Sequence, residues 1–543
     1  MPATSLHPQH PILPRLRRIC LGAVLGLGVA GALQAEPRIT PFTQAVAEAV
    51  ARAPGLAPVY RDRGFAGIWT GTDAAAVSRR NALLATLDAA PRHGLPAARY
   101  DVGGLIERMR GARTPEDRAA VDLALSRAFL RYARDVQTGL LEPGKVVPLI
   151  VREVPRRDPA ELLAGLVAAE APEAYLRALA PQTPEYARLL RAKLRLERAI
   201  ASGGWGLPVP QGKYEMGAAG AGVTALRDRL VTMGHMAPSV TPRFDADMLE
   251  AVRAFQSAQG LTVDGVVGPG TLAELNRPAE DRLQSVIVAM ERERWTNMDR
   301  GARHVLVNLT DFSAAIVDED RVTFRTRSVI GAEASDRQTP EFSDVMEHMV
   351  INPSWYVPRS IVVNEYLPQL QRNRNAASQI LITDRSGREI DRNAVDFSQY
   401  GKSNFPFSMR QPPSNSNALG LVKFMFPNRW NIYLHDTPAK SLFGREKRAF
   451  SHGCVRLNDP FDFAYALLAL QEDDPKGFFQ SKLSTGREAR VNLEAPVPVH
   501  LIYRTAFTDA EGALHFRRDV YGRDAKIWEA LAAEGVAISR PAS

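Results

Sequence analysis

The hydrophobic period changes once along this chain, and that change bounds the fold. From about residue 36 to 205 apolar residues recur at three- and four-residue spacing, as in Leu83, Leu84 and Leu87, or Leu123, Leu125, Phe129 and Tyr132. That is the spacing of a helix face. Beyond Arg303 they alternate or run in short blocks, as in His304-Val305-Leu306-Val307-Asn308-Leu309 and Ala314-Ala315-Ile316-Val317. That is the grammar of strands. At 543 residues the chain is also too long for one ordinary core. With 45% hydrophobic and 24% charged residues it has the composition of packed protein. The expectation is a multidomain α+β protein: a helical scaffold, a small three-helix module, and a mainly-β domain carrying a lid insertion.

The first 35 residues read as an export signal. Arg15, Arg17 and Arg18 make a positive start, residues 19–33 carry no charge, and Ala35 offers a small residue before Glu36-Pro37. This is the pattern of a cleaved secretory signal, and the apolar run is shorter than the ~20 residues of a membrane span. The formal net charge of +8 falls to +5 when those three arginines leave. Such an excess suits an anionic envelope. There is no basic stripe interleaved with aromatics, so no nucleic-acid partner is expected. The only cysteines are Cys20 and Cys454. With Cys20 in the signal, Cys454 is the single thiol of the exported chain. No internal disulfide can then form, and the thiol is accidental, intermolecular or reactive.

Along the chain, residues 36–210 form the helical scaffold, closed by turn formers at Gly203-Gly204 and 208–212. Residues 217–277 make a compact unit. Val223, Leu226 and Leu230 share one helix face and Gly234 ends that helix. Asp245 is the predicted N-cap of a second helix burying Met248, Val252 and Phe255. Thr271 is the predicted cap of a third, through Leu275. A polar-faced helix at about 279–295, within a connecting segment 278–300, is expected to return to the scaffold, making the unit an insertion. Residues 301–505 read as the β domain, with strands also at 322–330, 346–351 and 421–426, and a hairpin into 430–434. Within it, 363–410 turns polar and irregular, as a lid does. Asn458-Asp459-Pro460 opens a helix to about Leu470. A strand is expected at 497–503. Residues 506–543 form a C-terminal extension with a strand at 514–521 and a short helix near 527–531.

The chemistry concentrates between His435-Asp436-Thr437 and Ser451-His452-Gly453-Cys454-Val455-Arg456-Leu457. A free thiol titrates near 8.5, so a cysteine nucleophile needs a base or a cation beside it. Histidine supplies both, and can return a proton to a leaving amine. A glycine beside the nucleophile lets backbone amides approach a reacting carbonyl. Three readings are open from the residues alone: a core cysteine near two unrelated histidines, a zinc site of His435, His452 and Cys454, and Cys-His catalysis. No C-x-x-C pair accompanies the cluster and no fourth ligand is evident. The lone thiol and the adjacent glycine favour catalysis.

Two segments resemble known families. Leu226, Leu230, Gly234, Phe244-Asp245, Ala251-Val252, Phe255-Gln256, Gly260-Leu261, Asp264-Gly265, Gly268, Thr271 and Leu275 resemble the peptidoglycan-binding module of cell-wall hydrolases and transpeptidases. His435 with Ser451-His452-Gly453-Cys454-Val455-Arg456 resembles the L,D-transpeptidase (YkuD) catalytic domain. The likeness is to the large periplasmic type with scaffold, inserted binding module and lid. Asn352-Pro353-Ser354-Trp355, Asn417-Ala418-Leu419-Gly420, Lys423-Phe424, Phe426-Pro427-Asn428 and Leu434-His435-Asp436-Thr437-Pro438 carry that likeness, which runs from about Val59-Tyr60 to Trp528.

The resemblance implies a peptidoglycan L,D-transpeptidase in cell-wall organization and cell shape. Cys454 would form a thioester with a tetrapeptide stem, releasing D-alanine, and an amine of a neighbouring stem would resolve it to a 3→3 cross-link. His435 would be general base and acid, its ring oriented by the Asp436 carbonyl. His452 would position substrate, and the amides of Gly453 and Cys454 are candidate oxyanion donors. Ser451 is a candidate substrate-binding residue. Arg456 would meet a substrate carboxylate or form a structural ion pair; Tyr433 and Trp355 would line the cleft or belong to the core. No metal or organic cofactor is implied. The implied partners are stem peptides and glycan strands, with cell-wall synthesis enzymes as further candidates; oligomeric state is not readable. Location would be the periplasm. Competing readings are an L,D-carboxypeptidase or other cysteine peptidoglycan hydrolase, and a non-catalytic wall-binding scaffold.

Overall fold

Helix starts in the first half are written as a cap followed by proline. Thr114-Pro115 and Thr183-Pro184 open helices Pro115–Thr138 and Pro184–Ala201, and each threonine hydroxyl accepts from a first-turn N–H, of Asp117 and of Tyr186. The proline has no N–H to leave unpaired there. The structure is a computed structural model and describes residues 39–296 and 298–538; the expected signal, 1–35, lies outside them. Leu125, Phe129, Tyr132, Tyr186, Leu189 and Ile200 join Tyr60 and Trp69 in one helical core. Asp122 ties it from inside, accepting from the N–H groups of Ile68, Trp69 and Thr70 and from the Tyr60 hydroxyl. A buried carboxylate is tolerated when its oxygens are bonded in this way. Among the described residues no helix is long and apolar enough to cross a membrane.

The three-helix unit keeps its own core of Val223, Leu226, Leu230, Phe244, Met248, Val252, Phe255, Leu272 and Leu275. Its helices span Ala221–Thr232, Ala246–Ala258 and Pro269–Leu275. Asp245 caps the second, accepting from the Met248 N–H at 2.9 Å. Thr271 does not cap the third. Gly268-Pro269 starts that helix, and Thr271 lies buried within it, its hydroxyl accepting from Gln256 Nε2 at 3.3 Å. The same glutamine fixes the Asp264-Gly265 turn: Nε2 donates to Asp264 Oδ1 and Oε1 accepts from the Gly265 N–H, both at 2.8 Å.

The helix Ala279–Trp295 does return to the scaffold. Leu283, Val286, Ile287, Met290 and Trp295 complete the same core as Leu189 and Ile200, so the unit leaves and re-enters one helical body. Its polar residues face inward, not to solvent. Glu291 pairs with Arg294 at 2.8 Å. Arg292 reaches Glu341 at 2.9 Å and Asp524 at 2.7 Å. Glu293 pairs with Arg300 and Arg504. Charges repeat along this helix because it sits at a junction, where other segments bring counter-charges. The extension belongs there too: Ala506, Phe516, Ile527 and Leu531 lie in the helical core.

The strands are β1 (Arg303–Asn308), β2 (Ser313–Asp318), β3 (Arg321–Gly331), β4 (Phe342–Ile351), β5 (Trp355–Tyr356), β6 (Leu381–Thr383), β7 (Ser408–Gln411), β8 (Val422–Met425), β9 (Leu434–His435), β10 (Ala449–Ser451), β11 (Val455–Leu457), β12 (Ala489–Ile502), β13 (Ala506–Thr508) and β14 (Leu514–Phe516). The main sheet runs β10-β3-β11-β9-β8-β4-β12-β1-β2, and a further β2–β3 pairing closes it on itself. Closure leaves few free edges to pair elsewhere. Inside lie Val305, Ile316, Met349, Phe424, Leu434, Val455 and Leu501, with Phe463 and Leu467 of the helix Pro460–Leu468. A second helix, Pro475–Leu483, follows it, unforeseen in the sequence.

The polar segment expected as an irregular lid at 363–410 is a small body with its own core. Val357, Ile361, Val362, Leu367, Leu370, Ile380, Phe397, Phe405 and Met409 pack together, under a sheet ordered β5-β7-β6. Its apolar residues are spaced too irregularly to show a period, which hid the core from a reading by pattern.

Glu341 is 2% exposed and holds two buried guanidiniums, Arg292 at 2.9 Å and Arg523 at 3.0 Å. Glu341→Ala strands Arg523 and leaves Arg292 with Asp524 alone, and is expected to lower stability by about 3–5 kcal/mol in urea unfolding. Glu142→Ala, which loses only surface pairs to Lys145 and Arg156, should change it by less than about 0.5 kcal/mol.

Candidate active site

Strand register brings the candidate residues together. Lys423 of β8 lies opposite His435 of β9, and His435 opposite Arg456 of β11. In the next row Phe424, Leu434 and Val455 are paired and buried. Because side chains alternate across a sheet, the row Lys423-His435-Arg456 faces away from that core. Tyr433 and Cys454, two positions before His435 and Arg456, fall on the same side.

The turn before β9 is set by Asn428. Its Nδ2 donates to the carbonyls of Phe426 and Ile432, and its Oδ1 accepts from the N–H of Trp430 and Ile432. Asn431 is thereby held at φ +53°. The strand expected from Trp430 starts only at Leu434, since this cage takes up the intervening residues. It also aims the Asn431 carbonyl at Cys454, whose Sγ–H donates to it at 3.5 Å.

Cys454 is half-buried. Burial pushes its thiol up, and the Tyr433 N–H, Lys423 and Arg456 pull the other way without prevailing. His435 is 4% exposed, and its Nδ1 faces the Asp436 carbonyl at 2.5 Å. A carbonyl only accepts, so Nδ1 carries the proton and Nε2 keeps its lone pair. Burial first, then Arg456, depress the ring to about 3 against the pull of the Asp436 carbonyl. At neutral pH the pair is therefore thiol and neutral imidazole, an arrangement for proton transfer during attack and not a standing thiolate–imidazolium pair.

The nucleophile loop is held from within. Ser451, 1% exposed, donates from Oγ to the Cys454 carbonyl and accepts from the Gly453 N–H at 3.1 Å. Its hydroxyl is thus spent on the loop and does not face substrate. The Gly453 amide is spent as well, whereas among the described residues the Cys454 N–H has no hydrogen-bond partner. Of the two candidate oxyanion donors, Cys454 is the free one. Gly453 sits at φ +116°, and a Cβ there would lie 2.9 Å from Ile432 Cδ1. Thr339 Oγ1 donates to the Gly453 carbonyl at 2.6 Å.

His452 turns from the thiol. Its Nε2 meets Glu365 Oε1 at 2.6 Å, the same oxygen that receives Arg337 at 2.8 Å. Glu365 lies in a π-helical turn of the lid, 362–366, so this contact fastens the lid beside the nucleophile. Trp355 packs edge-to-face on Tyr366 against the lid core. The Asp436 carboxylate accepts from the Leu421 N–H and from Lys440, while its carbonyl serves His435. Arg456 has no acidic partner within ion-pair distance among the described residues, and its Nε is buried and unbonded; the structural ion pair does not form. Among the described residues no three His, Cys, Asp or Glu side chains converge as a metal site would require.

Lys423 was not singled out by the sequence as a site residue. Its Nζ stands 4.3 Å from the centre of the Tyr433 ring, and burial works against its charge. The signal was there in the hairpin: alternation around Phe424 puts Lys423 on the face of Tyr433 and His435. Glu365 left no such signal, because its contact spans 87 positions.

Comparison with known proteins agrees with these elements. Residues 302–480 match the family model of the YkuD L,D-transpeptidase catalytic domain, 219–275 that of a candidate peptidoglycan-binding domain, and 54–192 that of a scaffold domain. A candidate L,D-transpeptidase of Haemophilus influenzae is 28% identical over 246 residues, 44% of this chain. The match spans about half of that relative, 48% of its length. Among solved structures, an L,D-transpeptidase from Xylanimonas cellulosilytica is 16% identical, covering 55% of this chain and 100% of its own, at a TM-score of 0.18. One from Stackebrandtia nassauensis is 13% identical, covering 54% and 96%, at 0.22. TM-scores this low do not equate the folds.

Two outcomes follow from the geometry. Gly453→Ala meets both a left-handed backbone and the Ile432 side chain, and should lose about 1–3 kcal/mol in urea unfolding. His435 is depressed in the folded state, so the unfolded chain binds the extra proton; its stabilising share is complete above about pH 6.5 and declines as pH falls toward 3. His435→Gln should flatten the fall of unfolding free energy between pH 6 and 4 by about 1.4 kcal/mol per pH unit.

Proposed function

We propose that this chain, which through residues 302–480 matches the family model of the YkuD L,D-transpeptidase catalytic domain, is a peptidoglycan L,D-transpeptidase. The observation that carries the reading is the Cys454 thiol on one sheet face with His435, whose Nδ1 is committed to the Asp436 carbonyl. A peptidoglycan-binding match in the same chain supports wall polymer as the substrate.

In this reading Cys454 Sγ attacks the carbonyl of the third residue of a tetrapeptide stem while His435 Nε2 takes the thiol proton. The thiol first turns from the Asn431 carbonyl. The oxyanion is met by the free Cys454 N–H. Collapse breaks the peptide bond, and the D-alanine amine leaves with the proton from His435. An amine of a neighbouring stem then attacks the thioester, His435 accepts its proton, and the C–S bond breaks to return the thiol and leave a 3→3 cross-link. The lid, fastened by Glu365, limits entry of water at the acyl-enzyme. His452 serves to hold that lid, and Tyr433 forms part of the wall beside Cys454. The chain acts outside the cytoplasmic membrane, in the periplasm, consistent with the signal read at 1–35, and contributes to cell shape through wall cross-linking.

Incubation with a disaccharide-tetrapeptide should give a cross-linked dimer that has lost one D-alanine, seen by mass spectrometry. Cys454→Ala should give none. Tripeptide alone would make the enzyme a carboxypeptidase instead, and unchanged product from Cys454→Ala would remove the thioester route.

A further inference from the structure

A cavity of about 600 Å³ opens at the seam where the inserted unit meets the rest of the molecule. Trp205 reaches it from the end of the scaffold, His235 and Gln259 from the inserted unit, and His515 from β14 of the extension. All four bring polar groups without partners. Gln259 is 7% exposed, yet its Oε1 is buried with no donor, and its Nε2 has no acceptor among the described residues. His515 Nε2 meets Asp509 at 2.9 Å and carries the proton there, which leaves Nδ1 as an acceptor, buried and unbonded. Among the described residues the Trp205 indole N–H and the His235 ring make no hydrogen bond either; His235 rests edge-on against Phe255. Trp205 is nevertheless placed. Buried Arg229 donates to its carbonyl at 2.7 Å, and Gly204 and Gly206 on either side hold positive φ. Native proteins leave few such groups unsatisfied, so four gathered in one cavity point to a ligand.

The lining limits what fits. Its inner charges are answered within the protein, Arg282 by Glu274 at 2.8 Å and Asp509 by His515, and Arg195 stands exposed at the rim. The ligand is therefore neutral. The walls are apolar, with Leu196, Phe255 and Phe516 among them. An acyl chain would suit those walls but leave each polar group unpaired. A saccharide answers both demands. The C–H face of its ring packs on aromatic side chains, and its hydroxyls bond planar polar ones. An acetamido group adds a donor and an acceptor together, matching an indole N–H, an imidazole acceptor and a free amide. We propose that this seam binds a neutral N-acetylated saccharide, gripped at once by scaffold, inserted unit and extension. That the saccharide is the glycan of the wall rests on the function proposed above. Because the grip spans three segments, the inserted unit holds glycan only while packed against the other two, and the bound strand keeps one fixed relation to the nucleophile.

The test titrates the full-length protein with an N-acetylglucosamine tetrasaccharide, which carries no stem, and with the glucose tetrasaccharide that lacks the acetamido groups. The acetylated probe should bind, and the glucose one at least about tenfold more weakly. Gln259→Leu and His515→Phe should each weaken the acetylated probe by roughly three- to tenfold, and Trp205→Leu by about tenfold. Gln259→Leu should leave Tm unchanged or raise it, since the amide holds nothing in the free protein; a structural amide would lower Tm, and that result overturns its place in the site. No binding of the acetylated probe overturns the proposal, as does equal binding of the two probes. Affinity unchanged in all three variants also overturns it, by placing the saccharide elsewhere. Turnover of a sugar-free tetrapeptide stem separates this site from the chemistry. It should be the same in Trp205→Leu as in the unsubstituted protein. Turnover without saccharide binding removes the seam site and leaves the transpeptidase reading standing. Saccharide binding without turnover keeps the site and removes that reading.

Discussion

The Glu341 carboxylate, buried between Arg292 and Arg523, is the contact on which the other parts converge. Arg292 belongs to the helix that closes the scaffold, Arg523 to the C-terminal extension, and Glu341 leads into β4. From there the path is short. Arg523 also donates to the Thr339 carbonyl, and Thr339 Oγ1 donates to the Gly453 carbonyl beside the nucleophile. Tyr521 braces the segment before Glu341, its hydroxyl donating to the Gly331 carbonyl and accepting from the Thr339 N–H. Buried ion pairs are weak sources of net stability but costly to break. Here they fix the position of one body on another, and the nucleophile loop inherits that position.

At the site the balance of charge is the reverse. At the junction Arg292, Arg294, Arg300, Arg504 and Arg523 each have a carboxylate, while among the described residues Lys423 and Arg456 in the cleft have none within ion-pair distance. Burial keeps both the thiol and the imidazole neutral at rest. Charge would then develop only during reaction, in surroundings already positive, which lowers the cost of a thiolate or an oxyanion as it forms. The Asn431 carbonyl, aimed by the Asn428 cage, gives the resting thiol a place for its proton.

The lid follows a third arrangement. It has its own core and is tied to the nucleophile loop through one carboxylate oxygen of Glu365, shared between Arg337 and His452. A contact of that kind, exposed and few-membered, is weaker than the packing inside either body. Opening would therefore separate two packed units without unfolding either, with the π-helical turn that carries Glu365 at the boundary.

The sequence by itself determined the local elements and the candidate reacting residues. Threonine and aspartate before proline set helix starts, Asp245 capped the helix it was expected to cap, and alternation beyond Arg303 gave the strands. The spacing of His435, Gly453 and Cys454 was legible because nucleophile chemistry restricts residue types within a short span. Tertiary structure alone decided the rest. The helix Ala279–Trp295 was legible as polar-faced and as returning to the scaffold, but its counter-charges were not, because a pattern records polarity and not the partners that neutralise it. The extension after residue 505 joined the scaffold core, Ser451 turned inward, and Glu365 reached His452, all through contacts between distant segments. Lys423 lay between the two cases: its face was set by alternation, but its want of a counter-charge appears only when every strand around it is in place.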